Sequence, residues 1–202
     1  MRNFVKTALI GIAVSILSTS TPVTQPIVDD SQPRYEDIAR FVEIRQREKR
    51  VRDVFDSVRT NLTESEQADL ARIIAEESLS NGFSVEFVMA VMKTESSFNK
   101  HATSPVGALG LMQLMPATGK AMAAEYGIVL KSRDALYNPQ LNVTLGIRYL
   151  KRLADRFNDM NLVLAAYNMG PTRLRQNRGD GAYPEFKYTR LVREAHQHIE
   201  EM

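Results

Sequence analysis

The 202 residues are enough for one domain, or for one domain with an extension. Hydrophobic residues make up 44% of the chain and charged residues 25%, which is typical of a globular protein rather than a disordered or membrane-embedded one. The chain has no cysteine, and this excludes structural disulfides, a thiol nucleophile, a cysteine-ligated zinc site and a lipidated N-terminal cysteine.

Residues 1–20 have the three-part pattern of an export signal peptide. Arg2 and Lys6 form a basic tip, an apolar run extends over residues 8–17, and small residues follow it. The run is well short of the ~20 residues needed to span a bilayer, which favours a cleaved signal over a retained anchor. Removal of residues 1–20 lowers the formal charge from +2 to zero, so the basic balance gives no support to nucleic-acid binding. We expect an exported protein of the periplasm or cell envelope, soluble after signal removal.

Residues 21–35 contain three prolines and little apolar periodicity, which predicts a linker. A charged helix is predicted from Glu36 to about Leu62, within a helical N-terminal extension over residues 36–80. Its centre carries the basic run "RQREKRVR". Such a helix is either solvated and laid across the domain, or a docking surface for an envelope protein partner or for anionic lipid headgroups.

The rest of the chain has clear helix start and stop signals and no alternating segment long enough for a substantial sheet. The predicted fold is therefore mainly α with little or no β, and residues 81–202 form a second region after the N-terminal extension. The signals are the capping box of Thr63 and Glu66, the stop at Gly82, the cap Ser84, the start at Asn138-Pro139, the stop at Gly170, the start at Pro171, and a final helix after Pro184.

Glu95 lies on the apolar stripe of the helix that Ser84 caps, at helical spacing from Val88, Val91 and Met92. An apolar environment withholds water from a carboxylate and raises its pKa from about 4.3 towards neutrality, where a general acid works best. The alternative is a partly exposed residue at a helix end, hydrogen-bonded to a neighbouring serine.

Two downstream segments combine glycine, amide and apolar side chains. "SPVGALGLMQLMPATG", residues 104–119, has glycines that allow a close approach of the backbone to a ligand, and Gln113 beside methionines that suit a sugar. "AAYNMG" places Tyr167 and Asn168 on an apolar helix. Taken alone, the first segment is equally a packed connector, and the second equally a pair of core residues.

Together the motifs "ESSF", "SPVGALGLMQLMPATG", "NPQLNVTLGIRYL" and "LAAYNMGP" resemble, in the same order, those of the soluble lytic transglycosylase family. The resemblance extends from about Asn81 to Leu174 and implies a lysozyme-like fold. It also implies a substrate, the glycan strand of peptidoglycan, cut between N-acetylmuramic acid and N-acetylglucosamine without consuming water. No cofactor is implied.

Site residues are carried over from the family by position. Glu95 matches the single catalytic acid, which protonates the glycosidic oxygen and then deprotonates the muramic C6 hydroxyl as a 1,6-anhydro ring closes. The resemblance implies that the Tyr167 hydroxyl bonds this carboxyl, and that the substrate's own acetamido group replaces a second carboxylate. The residues implied to bind substrate are Ser104, which places the acetamido group, Gln113, Met115, Tyr167 and Asn168.

One motif departs from the family pattern. Many members have a glutamate followed four residues later by a tyrosine, whereas Tyr188 follows Glu185 by three. The sequence leaves open whether Tyr188 or Tyr183 occupies that position of the cleft.

Two other readings of the resemblance remain, a hydrolytic muramidase of the same fold and a non-catalytic peptidoglycan-binding scaffold. No metal is predicted, because His196 and His198 are two residues apart on a predicted helix and point to different faces.

Overall fold

The computed structural model describes residues 34–176 and 187–202. The predicted signal peptide, most of the predicted linker, Tyr183 and Glu185 therefore lie outside the described residues. The described helices are α1 (Tyr35–Ser57), α2 (Glu64–Asn81), α3 (Val85–Ser96), α4 (Pro116–Glu125), a 3₁₀ helix (Arg133–Tyr137), α5 (Pro139–Ala154), α6 (Met160–Met169), α7 (Pro171–Gln176) and α8 (Lys187–Glu200).

The predicted mainly α fold is confirmed. Within the described ranges the β structure is limited to two isolated bridges, Thr103 with Leu109 and Leu109 with Leu114. In the described part of the chain, no helix combines the length and the apolarity needed to cross a bilayer.

Helix α3 lies at the centre of the domain. Helices α1, α2 and α8 pack against it, and Val88, Val91 and Met92 have no solvent-accessible surface. A helix that is apolar on nearly every face is stable only when neighbours cover it. The element that carries Glu95 is therefore held in place along most of its length.

The local signals act where the sequence predicts them. Thr63 accepts a hydrogen bond from the Glu66 amide, and the Glu66 carboxylate accepts one from the Thr63 amide. Gly82 ends α2 in the left-handed conformation, and the Ser84 side chain caps α3. Asn138 caps α5, which begins at Pro139.

Helix α1 ends at Ser57, earlier than the predicted end at Leu62. Short polar side chains compete for the backbone groups in the segment that follows, which disfavours further helix. Thr60 Oγ1 donates to the carbonyl of Phe98 at 3.2 Å, and Asn61 Nδ2 donates to Asn99 Oδ1 at 2.7 Å. The segment after α1 therefore anchors the turn that follows Glu95.

Candidate active site

Glu95 occupies the last turn of α3, where the apolar helix reaches the wall of a cleft. The chain turns away directly afterwards, because Ser97 and Phe98 adopt positive φ values of 50° and 62°. Phe98 is buried, and Ser96 Oγ donates to the carbonyl of Leu111 at 2.8 Å. The end of the helix is thus fixed to the core and to the loop opposite, while the Glu95 side chain stays half-buried in the cleft.

Burial raises the pKa of Glu95 to about 7. Loss of water disfavours the charged carboxylate and is the main cause. The Tyr188 hydroxyl donates a hydrogen bond to Glu95 Oε1 at 2.7 Å, and this bond lowers the pKa against the larger effect of burial. A carboxyl with a pKa near 7 can both donate and accept a proton at neutral pH.

The expectation that Tyr167 bonds the carboxyl is wrong. The Tyr167 hydroxyl donates instead to the carbonyl of Met112 at 2.8 Å. Tyr188 of α8 bonds the carboxyl instead, whereas Tyr183, the other tyrosine of the shifted motif, lies outside the described residues. Glu95 is partly exposed in the last helical turn, as the alternative had it, but Ser96 Oγ bonds the backbone carbonyls of Met92 and Leu111 rather than Glu95.

The loop of residues 104–115 contributes a second part of the cavity lining, and its shape depends on glycine. Gly107 and Gly110 have φ values of 87° and 77°, which glycine adopts without strain. A Cβ at Gly110 would lie 2.5 Å from Asn142 Nδ2, so the position also lacks room for a side chain. Gly107 and Gly110 therefore give the loop its shape.

Asn142 of α5, which the sequence analysis did not single out, anchors this loop. Its side chain is fully buried and accepts from the Met112 amide at 2.8 Å. It also donates to the carbonyls of Leu109 and Leu136, both at 2.9 Å. A polar residue on the apolar stripe of α5 was the sequence signal that could have identified it.

Gln113 and Ser104 have part of their hydrogen-bonding capacity occupied within the loop. Gln113 Nε2 donates to the carbonyls of Ala102 and Gly110, so its oxygen remains for a ligand. Ser104 Oγ accepts from the Ala108 amide at 2.9 Å, which leaves its hydroxyl proton available to donate.

The structure brings the residues implied by the motifs together around one cavity of about 430 Å³. Met115 and Asn168 are exposed at this cavity, whereas Tyr167 is buried in its wall against Tyr149. The lining residues are Glu95, Ser104, Val106, Ala108, Gln113, Leu114, Met115, Thr118, Tyr149, Tyr167, Asn168, Met169, Gly170 and Arg173.

Glu95 is the one acidic side chain among these described lining residues. Within the two described ranges, no three His, Asp or Glu side chains are grouped so that they could hold a metal ion. Acid–base chemistry by a single carboxyl is what the described side chains of this cleft offer.

The sequence of the chain is similar to a known protein family and to several of its members. The family model described as "Transglycosylase SLT domain" matches residues 72–188. The chain is 38% identical to the soluble lytic murein transglycosylase of Escherichia coli (strain K12) over 98 residues, 48% of this chain and 15% of that protein. It is also 38% identical to the transglycosylase of Enterobacteria phage PRD1 over 97 residues, 48% of this chain and 33% of that protein.

A solved structure gives the same relationship. An inactive mutant of the lytic transglycosylase Slt from Pseudomonas aeruginosa aligns with a TM-score of 0.51 and 35% identity, covering 63% of this chain and 21% of that one. The chain thus spans only a minor part of the relatives that it matches. The family match begins within α2, so the division between an extension at 36–80 and a catalytic domain at 81–202 stays a prediction.

Proposed function

The chain belongs to the transglycosylase SLT domain family, and we propose that it is a peptidoglycan lytic transglycosylase with Glu95 as its single catalytic acid and base. The substrate is the glycan strand, cut at the β-1,4 bond between N-acetylmuramic acid and N-acetylglucosamine. The products carry 1,6-anhydro-muramic acid ends.

The state of the Glu95 carboxyl is the observation that carries this proposal. Its pKa of about 7 leaves a large fraction protonated at neutral pH, and Tyr188 fixes the orientation of the carboxyl group. Perturbed carboxyls in clefts mark candidate catalytic sites, because burying an acid without a charged partner costs stability. Glu95 meets this description within a cavity that also offers polar groups to a sugar.

In the first step Glu95 donates its proton to the glycosidic oxygen, and the bond from that oxygen to the anomeric carbon of muramic acid breaks. The N-acetylglucosamine unit leaves with a new hydroxyl. Positive charge develops on the muramic ring, and the neighbouring acetamido oxygen stabilises it. The free hydroxyl proton of Ser104 is suited to holding this acetamido group in place.

In the second step Glu95, now a carboxylate, takes the proton of the muramic C6 hydroxyl. The C6 oxygen attacks the anomeric carbon and closes the anhydro ring, so no water is consumed. One carboxyl serves both steps, which accords with the single acid among the described lining residues. Its pKa near 7 suits both donating and accepting a proton.

The other lining residues have binding roles in this proposal. The side-chain oxygen of Gln113 accepts from a sugar hydroxyl or amide, since its nitrogen is already bonded within the loop. Met115 offers an apolar surface to a ring face, and Asn168 offers an amide at the edge of the cleft. Tyr167 supports the loop through Met112 and contributes the wall beside Glu95.

Mass analysis of the muropeptides released from purified sacculi tests the proposal. The full chain should release fragments that end in anhydro-muramic acid and are lighter by one water than hydrolysis products. Reducing ends of full mass would identify a hydrolytic muramidase instead. Binding to sacculi without release of any fragment would identify a non-catalytic scaffold and overturn the proposal.

We further propose export to the cell envelope and contact with an envelope protein through the first half of α1. Tyr35, Ile38, Phe41 and Val42 are exposed there, although they are large and apolar. Replacement of Ile38 and Phe41 by serine should leave muropeptide release unchanged and reduce recovery of cross-linked envelope proteins from intact cells. If the variant and the unsubstituted chain recovered equal amounts of cross-linked envelope protein, this part of the proposal would be contradicted.

A further inference from the structure

Arg173 brings a positive charge to the same cleft. It lies on the short helix α7, whose next residue, Leu174, is buried and attaches the helix to the core. Arg173 itself is exposed and lines the cavity, as do Asn168, Met169 and Gly170 at the end of α6. Among the described lining residues it is the one cation, as Glu95 is the one acid.

The guanidinium of Arg173 has no hydrogen bond or ion pair within residues 34–176 and 187–202. Arg175 on the same helix differs, because its Nε donates to the carbonyl of Pro171 at 3.4 Å. Many other described arginines are also paired, as Arg50 is with Glu86 and Arg148 with Glu77. An arginine exposed in a cleft keeps all five of its donors available for a ligand.

From this position we infer that Arg173 forms a carboxylate subsite, which binds a carboxylate carried by the muramic acid side of the glycan strand. The inference rests on the proposed function and specifies which strands the cleft prefers. The planar guanidinium binds a carboxylate through two parallel hydrogen bonds, which a sugar hydroxyl does not match. The reaction itself needs no such cation, since Glu95 supplies and removes the protons.

Two groups of the strand present a carboxylate. In strands that carry peptides, the lactyl carboxyl of muramic acid is an amide and the peptide supplies the carboxylates. In strands stripped of peptides, the lactyl carboxylate itself is free. Oligomers of N-acetylglucosamine have neither group, so they fill the sugar positions without engaging Arg173.

Binding is measured by calorimetry with the full chain carrying Glu95→Gln, which keeps the strands uncut. The three ligands are peptide-bearing strands, peptide-free strands and N-acetylglucosamine oligomers. Adding Arg173→Ala should weaken binding of one class of carboxylate-bearing strand about tenfold. Binding of the neutral oligomers should change less than about twofold, and the affected class identifies the source of the carboxylate.

Two further variants separate recognition from structure. Arg173→Lys keeps the charge but not the planar pair of donors, so it should recover only part of the affinity. Arg175→Ala removes an arginine of the same helix that does not line the cavity, and it should leave all three affinities unchanged. The effect of Arg173→Ala should also shrink as salt rises from about 0.05 M to about 0.5 M, since an exposed ion pair is screened.

Equal weakening of all three ligands by Arg173→Ala, or no weakening of any, would overturn the subsite. The proposed function would stand in that case if the unsubstituted chain still released anhydro-muropeptides. Failure of the proposed function has a different signature, in which the unsubstituted chain releases no anhydro-muropeptides, whether or not the strands bind.

Discussion

Glu48 is buried and Glu95 is half-buried, and their different neighbours shift the pKa values of the two carboxyls in opposite directions. Glu48 on α1 is 6% exposed and accepts hydrogen bonds from Arg52 at 2.7 Å and Arg45 at 3.0 Å. The bond from Arg52 is the main reason that its pKa lies below the usual range. Glu95 has a tyrosine hydroxyl as its partner, and burial raises its pKa to about 7.

Glu48 is a carboxylate that stabilises the fold, whereas Glu95 is a carboxyl that can exchange its proton near neutral pH. Cations stabilise the charge of Glu48, so its ionised form contributes to folding and has little tendency to take up a proton near neutral pH. No described cation pairs with Glu95, so its ionised form costs stability and its proton remains exchangeable near pH 7. The basic run of α1 thus has a role in pairing with acids, of which Glu48 is one.

The largest expected effect is the loss of activity in Glu95→Gln. An amide cannot donate or accept the proton, so the rate of muropeptide release should fall roughly 10³-fold. Glu48→Gln is the matched control and should keep most of the activity. Digestion of sacculi by Glu95→Gln at the unsubstituted rate would contradict the catalytic assignment.

The second effect is on stability and has opposite signs at the two glutamates. Between pH 4.5 and about 7 the folded chain keeps a proton on Glu95 that the unfolded chain releases. The free energy of unfolding therefore falls as pH rises through this window, by up to ~3 kcal/mol. Glu95→Gln removes that loss, so it should be more stable than the unsubstituted chain above pH 7 and similar to it near pH 4.

Glu48→Gln should show the reverse. The lowered pKa of Glu48 means that its stabilising effect is present above pH 4.5 and is lost as pH falls through the folded-state pKa. This variant should be less stable than the unsubstituted chain at pH 7, with a smaller difference in acid. Urea unfolding of the three proteins at several pH values measures both effects, and shifts of the same sign at pH 7 would refute the contrast.

A third prediction concerns Tyr188, whose hydroxyl stabilises the ionised form of Glu95 as the arginines stabilise that of Glu48. Its hydrogen bond favours the ionised form, so Tyr188→Phe should raise the pKa of Glu95 further. The alkaline limb of the kcat/KM profile should move up by about one pH unit, and activity should fall about tenfold because the carboxyl loses its orientation.

Tyr126→Phe serves as the control for Tyr188→Phe. Tyr126 is half exposed and packs under the guanidinium of Arg148, and it is not among the residues that line the cleft. The kcat/KM profile of Tyr126→Phe against pH should match that of the unsubstituted chain. An unshifted alkaline limb in Tyr188→Phe would show that the hydrogen bond does not set the protonation of Glu95.

The smallest effect is expected from Arg45→Ala. The Arg45 side chain is 64% exposed, and Arg52 remains to pair with Glu48, so the free energy of unfolding should fall by less than about 1 kcal/mol. Muropeptide release should not change. A fall of several kcal/mol in urea unfolding would mean that Glu48 depends on both cations together.

The sequence predicted the helices and the position of Glu95 on the apolar stripe of α3, because both depend on local patterns. The caps at Thr63, Ser84 and Asn138 act within a few residues, and the apolar stripe of α3 fixes which face Glu95 occupies. Residues 36–62 were predicted to be helical to their end. The helix stops at Ser57, and Thr60 forms a long-range hydrogen bond to the carbonyl of Phe98.

Contacts across the fold were beyond the reach of those patterns. Tyr167 and Tyr188 are 21 residues apart and both approach Glu95, and only the packing of α6 and α8 decides which hydroxyl bonds it. Asn142 was missed for a similar reason, since its three partners come from two separate segments. Periodicity identifies the face of a helix but not the atom that it meets.

The three hydrogen bonds of Asn142 also have a consequence for the cost of binding. Its bonds to Met112 and Leu109 hold the loop of residues 104–115 in shape without a ligand, so under the proposed function little conformational entropy is lost when a strand enters. In the proposed reaction, binding energy that would otherwise order the loop can instead distort the muramic ring towards the transition state. Under the proposed function, the preorganisation of this wall thus connects one buried amide on α5 to the rate of glycan cleavage.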